Sequence, residues 1–227
     1  MELWQIVLLV IIIILVILFL WWYFSNSSNK ISGFKNAATQ VVVHSDQLAR
    51  SANFTLSGWF YVERWNVTND PKILYKRVGS NKQPGAPYPF TVSFDDTENN
   101  IIVKMPTNEG VTQCRLNNFP LQTWVNLIIS VQGRSVDLYM QGKLVRTCVL
   151  PQPSTFGRLG PLFITPNNRG WPGYTSNIVY YPNPVNPQQA YDIYRMGPGI
   201  GSWDIFDKYR LKLSYLVDGE PEWEFEI

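Results

Sequence analysis

The clearest structural pattern in the chain lies in residues 124–149, WVNLIISVQGRSVDLYMQGKLVRTCV. Three short apolar runs follow one another here, with one turn at Gln132-Gly133 and a tighter turn at Gln141-Gly142. Apolar and β-branched runs bounded by glycine turns are typical of strands joined by hairpins. The segment therefore predicts an antiparallel meander of three strands.

The residues before this meander indicate more strands. From residue 54 to residue 62, FTLSGWFYV, the apolar positions alternate with a second set that would face the other way. Further strand candidates, separated by turn residues, are Lys72–Val78, Pro89–Phe94, Asn100–Met105 and Val111–Leu116. Strands spaced about 8–12 residues apart indicate two packed antiparallel sheets, a sandwich or jelly roll. The expected fold class is mainly β, with the jelly roll over residues 41–198.

One helix is predicted near the end of that domain. Asn186 is a good N-cap, Pro187 suits the first helical position, and Gly197-Pro198 would end the helix after Met196. At helical spacing, the side chains expected to be buried are Ala190, Ile193, Tyr194 and Met196.

These features resemble a known family. Trp124, Val125, Leu127, Ile129 and Val131, followed by Val136, Leu138, Tyr139 and Gly142 to Val145, look like the core of concanavalin A-like, laminin G-type jelly rolls. The opening strand at residues 54–59 and the helix at residues 187–196 stand where that family has them. The resemblance implies a fold and no particular chemistry, since the matched positions belong to strands and turns.

The composition excludes several classes of function. The 227 residues carry 19 Lys+Arg against 17 Asp+Glu, a net charge of +2, and include two cysteines and one histidine. This charge supplies no basic surface for a nucleic-acid backbone, so no nucleic acid is expected as a partner. Two cysteines cannot build a disulfide scaffold or a four-thiolate zinc site. No cofactor or metal is expected.

The N-terminal segment predicts a membrane anchor. From Leu3 to Phe24 every residue except Gln5 is apolar or aromatic, and such a helix covers the ~30 Å hydrocarbon core of a bilayer. Aromatic side chains stand where the two membrane interfaces would lie, namely Trp4, Trp21, Trp22 and Tyr23. Residues 1–24 are therefore expected to form a transmembrane helix with the lipid bilayer around residues 3–24, and residues 25–40 a polar linker. A cleaved signal peptide would need a basic start and a shorter apolar run.

The orientation of this anchor depends on few charges. Lys30 and Lys35 follow the apolar run and Glu2 precedes it, which by the positive-inside rule favours a cytosolic C-terminal domain. Three glycosylation sequons, beginning at Asn26, Asn53 and Asn66, argue for the other side if they are used.

Catalytic or metal chemistry has little support in the sequence. The glucanase branch of the family uses carboxylates at Glu-x-Asp-x-Glu spacing on one strand, and no such strand occurs here. The nearest acidic cluster, with Asp95, Asp96 and Glu98, lies between two strand candidates and is expected to be a polar turn rather than a calcium site. His44, the one histidine, follows three valines and is interpreted as a structural strand residue. The chain is expected not to be an enzyme.

A carbohydrate site is the main alternative among binding functions. The loop at residues 167–174 supplies Arg169, Trp171 and Tyr174 on an expected surface turn. Aromatic faces stack on sugars, but aromatic residues also dominate cores. Trp171 is thus either a sugar-stacking side chain or a cover for the open end of the sandwich. Cys114 and Cys148 both lie on strand candidates, and the sequence leaves open whether they form a disulfide.

The C-terminal tail, residues 199–227, contains two strictly alternating runs that predict a β-hairpin. A loop of three or five residues around Gly219 would give it one apolar and one charged face by pairing Tyr215 with Trp223, Leu213 with Phe225, Leu211 with Ile227, and Lys212 with Glu226. An isolated hairpin is marginally stable, so its apolar face is expected to pack on the domain or on a partner.

Two functions follow from these features. The anchor, the jelly roll and the tail together resemble small membrane proteins of nucleocytoplasmic large DNA viruses, some of which are minor capsid components. That resemblance implies a structural protein that tethers an inner viral membrane to other capsid proteins, with its domain facing the capsid on the cytosolic side during assembly. The alternative is a membrane-anchored, lectin-like attachment protein that binds carbohydrate.

Overall fold

The computed structural model describes residues 4, 11–19, 30–48, 51–65, 72–79, 89–107, 109–154, 159–168, 170–199, 212–217 and 220–226. The chain divides into two compact units, Met1–Lys30 and Ile31–Ile227. In the first unit, residues 11–19 form helix α1, and its side chains are all apolar, with exposed fractions of 49–60%. Among the described residues, no helix has the length and apolar character needed to cross a bilayer. Trp4 is helical and 60% exposed, whereas Trp21, Trp22 and Tyr23 lie outside the described residues.

The second unit is built on two antiparallel sheets. The seven-stranded sheet has the order β1-β13-β4-β9-β10-β11, with β2 also paired to β13. Its strands are β1 (Lys30–Ser32), β2 (Lys35–Asn36), β4 (Phe54–Val62), β9 (Trp124–Gln132), β10 (Ser135–Met140), β11 (Lys143–Val149) and β13 (Gly173–Tyr181).

The six-stranded sheet has the order β3-β12-β5-β6-β7-β8. Its strands are β3 (Val41–Val43), β5 (Ile73–Gly79), β6 (Phe90–Phe94), β7 (Ile101–Thr107), β8 (Gly110–Leu116) and β12 (Leu159–Ile164). The expectation of a mainly β, antiparallel sandwich is confirmed.

The core lies between the two sheets and is rich in aromatic rings. Phe54 of β4 meets Phe90 of β6 edge to face with 5.6 Å between ring centroids, and Phe60 meets Tyr75 of β5 in the same way at 5.7 Å. Such edge-to-face pairs are favoured because the positive ring edge of one partner meets the negative face of the other. The side chains of β4 thus alternate between the core and the opposite face of the sheet. We call the face of the seven-stranded sheet that is turned away from the six-stranded sheet the outer face.

The meander of residues 124–149 forms β9, β10 and β11. Gln141 and Gly142 both have positive φ, 53° and 72°, which is the backbone of the two-residue turn whose twist matches that of paired strands. The predicted strands before the meander correspond to β4 to β8, with ends shifted by one or two residues. Strands β1 and β2 lie inside residues 25–40, so part of the segment predicted as a polar linker belongs to the seven-stranded sheet.

Helix α2 (Pro187–Arg195) covers part of the outer face. Asn186 caps it: its side chain accepts a hydrogen bond from the Gln189 N–H, and the Gln189 side chain accepts one from the Asn186 N–H. Ala190 and Ile193 are buried against Ile128 and Tyr139. Met196 is 57% exposed, so its predicted burial is wrong, because the helix ends at Arg195 before that position can turn toward the sheet.

The chain leading into α2 is fixed to the sheet by buried hydroxyls. The Thr55 hydroxyl donates to the Asn183 carbonyl oxygen at 3.0 Å, and the Ser130 hydroxyl accepts from the Val185 N–H at 3.0 Å. Serine and threonine can therefore face outward from the sheet here and still be buried and paired.

Cys114 of β8 and Cys148 of β11 form a disulfide, with 6.0 Å between their Cα atoms. These strands are the last in the order of their respective sheets. The bond therefore joins the two sheets along one open side of the sandwich.

The tail forms β14 (Lys212–Val217) and β15 (Glu220–Glu226), which pair with each other as a separate two-stranded sheet. Tyr215 stands opposite Trp223, and Leu213 opposite Phe225. The strands reach this register through a shift between Tyr215 and Leu216 and a connection of two residues after Val217, so the expected loop of three or five residues is wrong. Leu211 and Ile227 lie outside the described residues.

Candidate functional site

Three aromatic side chains form a row across the outer face of the seven-stranded sheet. Tyr174 of β13 stands opposite Tyr61 of β4, and Tyr61 stands opposite Trp124 of β9. Their ring centroids are 6.2 Å apart for the two tyrosines and 5.7 Å apart for Tyr61 and Trp124. Directly opposed residues on neighbouring strands are close enough for aromatic contact. All three side chains are half-buried.

A fourth ring, Phe34, contacts this row from the turn between β1 and β2. It stacks on Tyr174 with 5.1 Å between centroids and 22° between planes, and its centroid is 6.3 Å from that of Trp124. Phe34 is 48% exposed. We call Phe34, Tyr61, Trp124 and Tyr174 the aromatic ladder.

The backbone near the ladder requires a glycine at residue 173. Gly173 has φ of 150°, and a Cβ at this position would collide with the Tyr61 carbonyl oxygen. The two residues before Gly173 also bond to β4 and to the residue that follows it. The Trp171 indole N–H donates to the Tyr61 carbonyl at 3.0 Å, and the Pro172 carbonyl accepts from the Glu63 N–H at 3.0 Å. Only a residue without a side chain lets β13 approach β4 closely enough to place Tyr174 beside Tyr61.

Polar groups lie beside the ladder at both ends. Asn36 of β2 stands opposite Tyr174 at one end. At the other end the Gln141 side chain bonds to the strand of Trp124, donating to the Trp124 carbonyl and accepting from the Asn126 N–H, both at 3.0 Å. Three strand spacings of about 4.8 Å separate β2 from β9. The surface therefore offers an elongated apolar face with amide groups at its ends.

Trp171, one of the residues predicted for sugar binding, belongs to the core. It is 3% exposed and packs against Phe60 and Phe94, with ring centroids 6.0 and 5.0 Å away. Of the two interpretations given for Trp171, its burial favours the cover for the end of the sandwich over the sugar-stacking side chain. Tyr174 is on the ladder, and Arg169 lies outside the described residues.

Local sequence patterns do not identify the other three ladder residues as a group. Tyr61 belongs to the outward set of a predicted strand and Trp124 opens another, but these two paired residues are 63 residues apart in the chain. Their register cannot be obtained from alternation alone. Phe34 lies within the predicted linker. An aromatic residue in that polar segment was the one sequence feature that could have indicated its place on the ladder.

The acidic cluster forms the turn between β6 and β7. Asp95 accepts hydrogen bonds from the Thr97 N–H at 3.2 Å and its hydroxyl at 3.3 Å, and its other oxygen lies 3.0 Å from the Arg115 guanidinium. Burial alone would raise the pKa of Asp95, but the Thr97 hydrogen bonds and the Arg115 charge together hold it below its ordinary value. Glu98 also pairs with Arg115, at 3.4 Å.

These ion pairs occupy the carboxylates that a cation would need. Across the described residues, no group of three or more His, Cys, Asp or Glu side chains is arranged to hold a metal ion. Asp96 is exposed in the same turn, and His44 is exposed at the residue before the short 3-10 helix Ser45–Gln47, just beyond β3. The expected polar turn is therefore observed, and His44 lies after the strand rather than on it.

The family model described as the concanavalin A-like lectin/glucanases superfamily, of laminin G type, matches residues 35–190. The chain belongs to this superfamily. No curated protein sequence matches the chain.

Solved structures share the fold of this superfamily member at low identity. The botulinum neurotoxin serotype G binding domain aligns with a TM-score of 0.55 and 12% identity over 69% of this chain and 40% of that one. The serotype D ligand binding domain in complex with N-acetylneuraminic acid aligns with a TM-score of 0.56 and 8% identity over 74% and 43%. The binding domain of botulinum neurotoxin DC in complex with SialylT gives 0.54 and 11% over 69% and 39%. The chain thus spans about two fifths of each of these domains, and the likeness is one of fold.

Proposed function

We propose that this chain is a non-enzymatic, membrane-anchored binding protein whose sandwich domain recognises carbohydrate. The observation that carries the proposal is the aromatic ladder on the outer face. The C–H groups of a sugar ring are weakly positive and pack on the electron-rich face of an aromatic ring, while its hydroxyls need polar partners beside that face. The ladder supplies the rings, and Asn36 and Gln141 supply amides at its ends.

The comparisons support carbohydrate as the ligand class. The superfamily is described as one of lectins and glucanases, and the serotype D neurotoxin domain was solved with N-acetylneuraminic acid. A glucanase activity would need a pair of carboxylates about 5–10 Å apart that are free to act on the sugar. Asp95 and Glu98 are both paired with Arg115. We therefore assign recognition rather than hydrolysis.

The N-terminal segment supports the membrane anchor. The apolar run covers residues 3–24 with Gln5 as its one polar residue, and the part of it described as α1 is apolar on every side. A helix that is apolar all round is found in a protein core or in a bilayer. The lipid bilayer is thus proposed as a partner through residues 3–24.

The test of sugar recognition is a glycan array probed with the full chain in detergent, followed by titration of the strongest glycan. We expect Trp124→Ala and Phe34→Ala to weaken binding about tenfold or more, since each removes a stacking face. The matched control is Tyr191→Ala on α2, because Tyr191 is 45% exposed and lies outside the ladder. Each variant must retain the unfolding midpoint of the parent to within a few degrees.

Two results would overturn this assignment. One is an array on which the parent chain retains no glycan above background. The other is a glycan that binds equally well to the parent chain, Trp124→Ala and Phe34→Ala, which would place the sugar elsewhere on the molecule.

A second candidate function is the structural tether between a membrane and a capsid shell. The observation that favours it is the β14–β15 hairpin, which forms its own sheet and would offer a contact to other capsid proteins. In that case the domain would face the capsid on the cytosolic side of an inner virion membrane, as Lys30 and Lys35 favour. A pull-down from infected cells or purified virions that recovers capsid protein with the full chain, and not with a chain lacking residues 199–227, would support it.

Membrane topology separates the two candidates. The disulfide between Cys114 and Cys148 supports an oxidising compartment and therefore a lumenal or external domain, which suits carbohydrate recognition. Insertion of the full chain into microsomes, followed by added protease, gives the answer. A protected domain supports recognition, whereas a digested domain without glycan supports the tether.

A further inference from the structure

Strand β11 forms one edge of the seven-stranded sheet and is unusually apolar for that position. Leu144, Val145 and Val149 are 47, 48 and 69% exposed, and six of the seven residues of the strand are exposed. Edge strands present unpaired backbone groups and are ordinarily protected by charges, prolines or a covering element. In the described part of the chain, β10 is the strand that pairs with β11.

An irregularity in β11 places its two positive charges on the same face. The register shifts between Leu138 and Tyr139 of β10, so that Lys143 stands opposite Met140 and Arg146 stands opposite Leu138. Met140 and Leu138 are two residues apart and therefore point to the same face of the sheet. Lys143 and Arg146 thus form a positive row, and the strand contains no acidic residue.

Strand β15 has the complementary pattern. Its sequence, EPEWEFE, places a glutamate at every second position, at Glu220, Glu222, Glu224 and Glu226. The positions between the glutamates include Trp223 and Phe225. Within the described residues, β15 pairs with β14 along one edge.

We propose that β15 of a second copy of this chain adds to β11 as a further strand of the seven-stranded sheet. Two successive glutamates of β15 then oppose Lys143 and Arg146, which the irregularity in β11 brings opposite residues two apart on the neighbouring strand β10. The row with Trp223 and Phe225 lies beside Leu144 and Val149. Strand addition of this kind gains backbone hydrogen bonds along the edge and specificity from alternate side chains.

Charge determines which strand pairs with β11. Two copies of β11 would bring Lys143 and Arg146 toward the same residues of the other copy, and β14 carries Lys212; like charges directly opposed on a sheet are destabilising. In the structure, β11 and β15 of one chain belong to different sheets, so the strand that adds to β11 in this proposal comes from a second copy. If each copy donates its β15 to the other, the two contacts close a symmetric dimer.

The experiment is sedimentation of the full chain in detergent over a range of concentrations. The parent chain is expected to be a dimer, while Lys143→Glu/Arg146→Glu and Glu224→Lys/Glu226→Lys should each weaken dimerisation about tenfold or more because like charges then face one another. A mixture of the two variants should form dimers again, since each altered strand then meets one of opposite charge. The matched control is Lys30→Glu/Lys35→Glu, which reverses two exposed charges at β1 and β2, away from β11.

The outcomes are distinguishable from those of the sugar-binding test, which does not involve β11 or β15. A parent chain that is monomeric at every concentration overturns the proposal and leaves strand pairing within one chain as the alternative. A dimer that survives both charge reversals also overturns it and assigns association to another surface. Circular dichroism of each variant shows that a loss of dimer is not a loss of fold.

Discussion

Trp171 and Trp124 lie in the same small region of the molecule, but the Trp171 side chain is part of the core and the Trp124 side chain is on the surface. The Trp171 indole is enclosed by Phe60 and Phe94 and donates to a backbone carbonyl of β4. Trp124 stands on the outer face of the sheet, half-buried beside Tyr61. The burial of each side chain determines whether it contributes to folding or is accessible to a ligand.

Replacement of Trp171 should therefore reduce stability. Trp171→Ala leaves a cavity and an unpaired carbonyl at the end of the core, and we expect a loss of about 3–5 kcal/mol in the free energy of unfolding. Urea denaturation followed by circular dichroism measures it. Phe34→Ala is the comparison, with a loss of about 1 kcal/mol or less because that ring is 48% exposed. Equal losses for the two variants would contradict the assignment of Trp171 to the core.

Asp95 should make the domain sensitive to acid. Its folded-state pKa is held below the ordinary value of 3.8, so its contribution to stability is present above that pH and is lost as pH falls through the lower, folded-state value. Asp95→Asn, which weakens the Arg115 pair by about 1 kcal/mol, should remove part of the dependence of stability on pH below 4. Unfolding midpoints at pH 3 and pH 6 test this, and an unchanged difference between them would contradict it.

At the scale of single residues, the sequence predicts which type of side chain a site needs better than it predicts where that side chain lies in the fold. The sequence favours Tyr174 and Trp171 for the same reason, an aromatic ring on a surface turn, yet Tyr174 lies on the ladder and Trp171 lies in the core. Both follow the same loop, and the direction of each depends on Gly173, where β13 approaches β4. That approach depends on pairing between strands more than 100 residues apart, which local alternation cannot supply.

Helix α2 stabilises the outer face against which it packs. Its first turn is closed by reciprocal hydrogen bonds between Asn186 and Gln189. Its third turn brings Tyr194 onto Trp59, with 5.6 Å between ring centroids and 23° between planes. Trp59 is consequently only 6% exposed although it points away from the core between the sheets.

Removal of the N-cap should weaken this element. Asn186→Ala is expected to lower the free energy of unfolding by about 1 kcal/mol, because the Gln189 N–H loses its acceptor. Chemical denaturation provides the measurement. Gln188→Ala serves as the control, since Gln188 is exposed and bonds to Asp192 on the helix surface; a loss as large as that of Asn186→Ala would show that capping is not the cause.

The elements themselves were largely readable from the sequence, since each depends on local features. The cap and the glycine after α2 mark its two ends, and the turn at Gln141-Gly142 needs positive φ at both residues. The tail is a partial exception. Its opposed aromatic pairs follow from the alternation, but the pairing is reached by an irregularity near Leu216 rather than by a longer loop, and periodicity cannot distinguish these routes.

The whole domain depends on the contact between its two sheets. The antiparallel sandwich could be predicted because apolar runs of strand length recur with turns between them. The order of the strands could not, because β13 and β4, or β12 and β5, are neighbours only after the chain has folded. The same holds for the ladder, whose rings come from three separate strands and one turn.

The disulfide should contribute substantially to the stability of the domain. Its cysteines are 34 residues apart, and closing a loop of that length restricts the unfolded chain by about 3–4 kcal/mol. We therefore expect Cys114→Ser/Cys148→Ser, or reduction of the parent chain, to lower the free energy of unfolding by about that amount. Guanidinium denaturation with and without reductant measures it, and the reductant should have no effect on the double variant.

The same bond also affects how the domain responds to mechanical force. Because it links β8 to β11, the residues between Cys114 and Cys148, which include all of β9 and β10, cannot be drawn out when the two ends of the domain are pulled apart. At about 3.5 Å for each extended residue, roughly 110 Å of chain stays withheld until the bond is reduced. In an optical trap, the oxidised domain should therefore reach a shorter final length than the reduced one, because the force does not act along β9 and β10 while the bond is intact.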